Sequence, residues 1–149
     1  MPQPTMQERW ELFDHGADIG VRGIGNTESR AFEMAAMALT AVITDLSLVQ
    51  TRDAVTVHCQ APDRELLLVD WLNALIFEMA TRRMLFSRFE VRLERDVLDA
   101  TAWGEPVNEA RHQPAVEPKG ATLTELKVIR NPEGHWLASA IVSMLPPLC

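Results

Sequence analysis

The chain has 149 residues, 47% of them hydrophobic, enough apolar material for one ordinary domain with its own core. Its net charge of −7 argues against direct, charge-driven binding to nucleic acid, which needs Lys and Arg to displace counterions; a divalent cation or a basic protein partner suits it better. Two cysteines, Cys59 and Cys149, and no C-x-x-C argue against a disulfide framework and for a reducing compartment. No apolar run is long enough to span a membrane and the start lacks a signal pattern, so a cytoplasmic, membrane-free protein is expected.

Positions 1–9 are expected to be a tail and 10–149 a single domain. Short strands are expected at 10–13 and 19–22, with a bend between them. Asn26 or Thr27 can cap a helix over 28–43, where Phe32, Ala35, Leu39 and Val42 recur at helical spacing and alanines widen the stripe. Val55, Val57 and Cys59 alternate as one face of a strand. Pro62 and Asp63 open a second helix, unusually apolar and therefore central, with Leu68, Trp71, Leu72, Leu75 and Met79 inward. R-F-E-V-R-L-E at 88–94 alternates as a half-exposed strand, and 97–103 returns beside it. Three prolines make 104–118 a loop. The stretches 123–130 and 135–144 read as a hairpin around the N-P-E-G turn. The order ββ-α-β-α-ββ-ββ predicts an α+β fold with an antiparallel or mixed sheet and two main helices.

The densest chemistry lies in F-D-H-G-A-D-I-G-V-R-G-I-G, 13–25. Gly20, Gly23 and Gly25 match neither G-x-G-x-x-G nor a P-loop and are read as strand-end and turn glycines. His15, Asp14 and Asp18 could form a nest for a hard cation, which wants several oxygens. The commoner outcome of such spacing is carboxylates that cap turns and a histidine bonded locally. His58, His112 and His135 lack an i, i+4 partner, so a zinc-protease motif is absent, and no G-x-S-x-G supports serine catalysis. Lys119 is a lone cation in the Pro-rich loop. It could meet a phosphate or a partner's carboxylate, although a solvated lysine is the plainer reading. The four tryptophans are not interleaved with basic residues and read as packing.

In order and spacing the chain resembles the archease family over 10–142. The resemblance rests on D-H-G-A-D-I-G-V-R-G-I-G followed at once by T-E-S-R-A-F-E-M-A-A-M-A-L, then L-L-L-V-D-W-L-N-A-L-I-F-E, F-S-R-F-E-V, G-E-P-V-N-E-A-R-H, P-K-G-A-T-L-T-E-L-K-V and G-H-W-L-A. It implies a small α+β protein that is not itself an enzyme. Such a protein promotes guanylylation and turnover of the GTP-dependent RNA ligase that joins 3′-phosphate or cyclic-phosphate ends to 5′-hydroxyl ends, in tRNA splicing or RNA repair. It also implies a divalent cation, calcium, magnesium or manganese. The family's acidic metal ligand falls on Asp18, and its functional lysine, acting in trans on the ligase, falls on Lys119. Three positions depart from the pattern. Gly16 stands where threonine is usual and Leu123 where tyrosine is usual. Ser143 takes the place of the family's C-terminal aspartate and is a weaker ligand for a hard cation, so the implied metal site is weak, rebuilt with His15 or Asp14, or lost.

Two other readings compete. The apolar second helix and seven methionines would suit a general holdase-like chaperone, although methionines also serve as core filler. A metal-dependent phosphohydrolase lacks a full ligand set.

Overall fold

The computed structural model describes residues 8–145. β1 (Arg9–His15) and β2 (Asp18–Gly25) pair antiparallel as a hairpin whose two-residue loop is Gly16 and Ala17. Gly16 has φ +63° and Ala17 is not positive, the φ signs of a type II′ turn; the same φ would strain a β-branched residue. The fold starts before position 10. Arg9 opens β1, and the Glu8 carboxylate accepts from the Asn26 N–H at 3.1 Å and from Arg30 at 2.9 Å. Positions 1–7 of the expected tail lie outside the described residues.

Helix α1 (Glu28–Ile43) is capped by Thr27, whose hydroxyl accepts from the Arg30 N–H at 3.1 Å. Its stripe of Phe32, Ala35 and Leu39 is fully buried. Gly25 ends β2, as expected of a strand-end glycine, but Gly20 and Gly23 lie inside the strand and not in a turn. A Cβ on Gly23 would come within 2.0 Å of the Ala31 carbonyl and 2.3 Å of the Ala35 nitrogen, so glycine lets the helix backbone lie directly on the strand.

The middle of the chain builds a three-stranded antiparallel sheet in the order β3-β5-β4, from β3 (Asp53–Gln60), β4 (Met84–Glu94) and β5 (Val97–Pro106). Val55, Val57 and Cys59 are buried on β3, and burial pushes the Cys59 thiol up to about 11. Strand β4 starts four residues before the alternation does. A bulge between Phe86 and Arg88 breaks the period, and Met84, Leu85 and Phe86 are all buried. Helix α2 (Arg64–Arg82), capped by Asp63, is as central as its composition predicts. Leu67, Leu68, Trp71, Leu72 and Leu75 are all but inaccessible, each buried leucine being worth about 1.5–3 kcal/mol. The Trp71 indole N–H donates to the Phe32 carbonyl at 3.1 Å and ties the helices together.

The stretch expected as a loop holds the end of β5, a single helical turn α3 (Glu109–His112) and the start of β6 (Glu117–Ala121). Pro118 fits within β6 because β6 is an outer strand, where a missing N–H is tolerated. The last hairpin strand is shorter than expected: β7 covers Lys127–Arg130 and precedes β8 (Trp136–Leu145). Together these form a five-stranded antiparallel sheet in the order β1-β2-β8-β6, with β7 pairing the other half of the same edge of β8. One apolar core joins both sheets, with α1 packed on β2, β4 and β8 and α2 on β3, β4 and β6. The fold is therefore α+β, as predicted. Among the described residues no helix is long and apolar enough to cross a membrane.

Candidate functional site

Four residues singled out in the sequence stand along one end of the five-stranded sheet. His15 and Asp18 face each other across the β1–β2 hairpin. Asp18 and Ser143 each lie one step beyond the Ile19–Val142 pair that ends the β2–β8 ladder. Ser143 is paired in turn with Gly120 of β6. Lys119 is the extra residue of a bulge, since Pro118 pairs with Met144 and Gly120 with Ser143. It is therefore in a strand, not the loop expected, and its bulge leaves it without a ladder partner.

The charged members of this row are thinly held. Asp18 is half-buried and Lys119 exposed, and neither makes a side-chain hydrogen bond or ion pair among the described residues. Asp14 is exposed. The turn-capping expectation for the two aspartates is thus not what the hairpin uses; backbone φ at Gly16 closes the turn instead. His15 pairs with Glu125, Nε2 to carboxylate 3.2 Å, a partner from the loop before β7 that the sequence did not suggest.

The donors do not fit a resident hard cation. Such an ion takes six or more oxygens, several from carboxylates. Here Asp18 supplies one carboxylate, His15 is engaged with Glu125, and the Ser143 hydroxyl donates to the Gly120 carbonyl at 3.2 Å. Among the described residues no three His, Cys, Asp or Glu side chains come together as a metal site.

Beside the row, the outer face of the sheet forms a cleft of about 240 Å³ lined by Phe13, Arg22, Glu125, Lys127 and Ile129 among others. Arg22 lies over the Phe13 ring, 4.4 Å from its centre, and bonds Glu11 at 3.1 Å. Glu11 pairs with that cation, and the cleft carries Lys127 and Glu125 beside the apolar Phe13 and Ile129.

The other polar cluster was hidden in the expected loop. Glu105, at the end of β5, is 1% exposed. Its carboxylate accepts two bonds from Arg111 at 2.7 Å, the Gln50 N–H at 2.8 Å and the His112 Nε2–H at 3.0 Å. The Arg111 guanidinium holds this carboxyl well below the usual carboxylate range against the opposing effect of desolvation, with Gln50 and His112 adding to it. Buried His112 accepts the Asn108 N–H at Nδ1, 2.8 Å, which leaves its proton on Nε2 to donate to Glu105. The legible signal was an acid followed by Asn108, a good cap, and by Arg111 and His112 one turn later. Asn73, the polar residue between Trp71 and Leu75, also reaches the row: its Oδ1 accepts the Ala121 N–H at 2.8 Å.

Comparison with known proteins bears on all of this. Residues 10–143 match the model of the archease protein family (MTH1598/TM1083). Protein archease of Pyrococcus abyssi is 34% identical over 138 residues, spanning 90% of this chain and 97% of that one. Protein archease of Methanothermobacter thermautotrophicus is 37% identical, over 80% and 88% of the two chains. The solution structure of Methanobacterium thermoautotrophicum protein 1598 superposes with a TM-score of 0.78 at 34% identity, covering 90% of this chain and 97% of that one. A Thermotoga maritima crystal structure, of an archease and "possible chaperone", has a TM-score of 0.56 over 96% and 97% of the chains at 17% identity and shares the fold alone. The chain belongs to the archease family.

Proposed function

We propose that this protein activates a GTP-dependent RNA ligase, promoting its guanylylation and turnover during tRNA splicing or RNA repair in the cytoplasm, without being an enzyme itself. The observation that carries the reading is the placing of Asp18 and Lys119 on either side of Ser143, at one end of a rigid sheet, neither with a partner in the described residues. A carboxylate and an ammonium held this way contribute electrostatics and orientation to a partner's active site. Lys119 suits the phosphates of a bound nucleotide, and Asp18 a cation or a basic side chain at the same site. Any cation at Asp18 would draw its remaining ligands from the partner or the triphosphate. The net charge of −7 favours contact with the ligase over contact with RNA.

Multiple-turnover ligation, with GTP and Mg²⁺ or Mn²⁺, tests this: added protein should raise turnover, and no increase would end the reading. The alternative, a general chaperone, draws on exposed Phe77 and Leu123, 62% and 67% accessible. It predicts suppression of client aggregation without any ligase.

A further inference from the structure

We propose that Asn73 is a positioning residue for Lys119, its side-chain amide on α2 clamping the β6 bulge from the side away from β8. The inference rests on the activator reading above. Strand β6 is an outer strand, so successive backbone N–H groups point alternately toward β8 and away from it. The Thr122 N–H points inward and donates to the Ile141 carbonyl at 2.9 Å. The Ala121 N–H, one residue earlier, points outward and donates to Asn73 Oδ1 at 2.8 Å. The same oxygen is what a Cβ on Gly120 would meet, at 3.5 Å, so the amide lies directly beside the bulge. From the opposite side the Ser143 hydroxyl donates to the Gly120 carbonyl at 3.2 Å.

Lys119 therefore sits next to a dipeptide pinned from both flanks. The extra residue of a bulge has no ladder bond of its own, so its position depends on how firmly its neighbours are held. Ser143 holds the carbonyl and Asn73 the amide. Asn73 also covers an open strand edge with a helix, so the peptide that follows Lys119 is anchored to α2, a helix whose inner face is buried in the core. A half-buried amide between buried Trp71 and Leu75 is accounted for by this bond.

The test uses the full chain and two readouts: amide hydrogen exchange at Ala121, and ligase activation titrated against protein concentration. Asn73→Ala removes the acceptor, whereas Asn73→Asp keeps an oxygen in its place. In N73A, exchange at Ala121 should speed up while the β2–β8 ladder stays protected. Maximal activation should fall about tenfold, the scale of one lost hydrogen bond, with the half-saturating concentration unchanged. N73D should restore both. Unchanged exchange at Ala121 in N73A overturns the clamp whatever the ligase does. Full activation by N73A, alongside a Lys119→Ala protein that has lost it, overturns the positioning role, as does an N73D protein that folds but does not recover. A wild type that activates nothing, with Ala121 still responding to N73A, sinks the activator reading and leaves the clamp standing.

Discussion

The Glu105 cluster and the Asp18–Lys119 row use the same chemistry to opposite ends. At Glu105 the carboxylate is inaccessible and takes four bonds from Arg111, Gln50 and His112. Every acceptor site is spent inside the chain, and the cluster ties α3 to β5 and to the segment after α1. At the sheet end, Asp18 and Lys119 make no such bonds among the described residues. Removing a charge from water is costly, so a buried charge must be saturated to be tolerated. A charge left half-wet and without an internal partner keeps its capacity for another molecule. The contrast separates charge that builds the fold from charge that the fold presents.

Removing Glu105 should test the first half most severely. Glu105→Ala leaves the buried His112 Nε2–H without its acceptor and releases Arg111 and the Gln50 N–H to water, and should cost about 1–3 kcal/mol, read as a lower denaturant midpoint at unchanged slope. A loss below about 1 kcal/mol would mean that the cluster relaxes into water and the contrast is false. Lys119→Ala should do the reverse, leaving the melting temperature in place while ligase activation falls about 10²-fold, the scale of one lost electrostatic donor in a reacting site.

Acid should separate the regions further. The Glu105 carboxyl is held low in the folded state, so its contribution to stability is fully present above the unfolded glutamate value, about 4.3, and is lost as pH falls through the lower folded one. Thermal melts should therefore hold steady from pH 7 to about 5 and decline below that, and Glu105→Gln should remove part of the decline. The smallest effect belongs to the exposed His58–Asp99 pair, 2.7 Å apart on the outer face of β3 and β5. His58→Ala should change stability by less than about 0.5 kcal/mol, since solvent screens such pairs.

Much of the fold was legible because burial writes a period into the sequence. Alternation marked β3 and the later part of β4, and the 3.6-residue stripe marked α1 and α2, with Thr27 and Asp63 as caps. Where the period breaks, the reading slipped. The bulge at Phe86 hid the start of β4, and three prolines disguised β6, whose edge position tolerates one of them. Glycine inside β2 looks like a strand-end or turn residue because close approach, of helix α1 at Gly23 and of the Phe13 ring at Gly20, leaves the same mark in sequence. In the candidate site, Asp18, His15 and Lys119 stand out by residue type and spacing, and the family resemblance adds Ser143. Their convergence on one row is a matter of register between distant strands, which no local pattern encodes. Glu125 and Asn73 were invisible for the same reason: each reaches its partner across a large sequence separation.

The most direct measurement is multiple-turnover RNA ligation by a GTP-dependent RNA ligase of the proposed class, with the wild type and with Asp18→Ala at matched thermal stability. The wild type should stimulate strongly and the variant little, because Asp18 is charge presented outward and not charge that holds the fold. Equal stimulation by both proteins would contradict that role for Asp18.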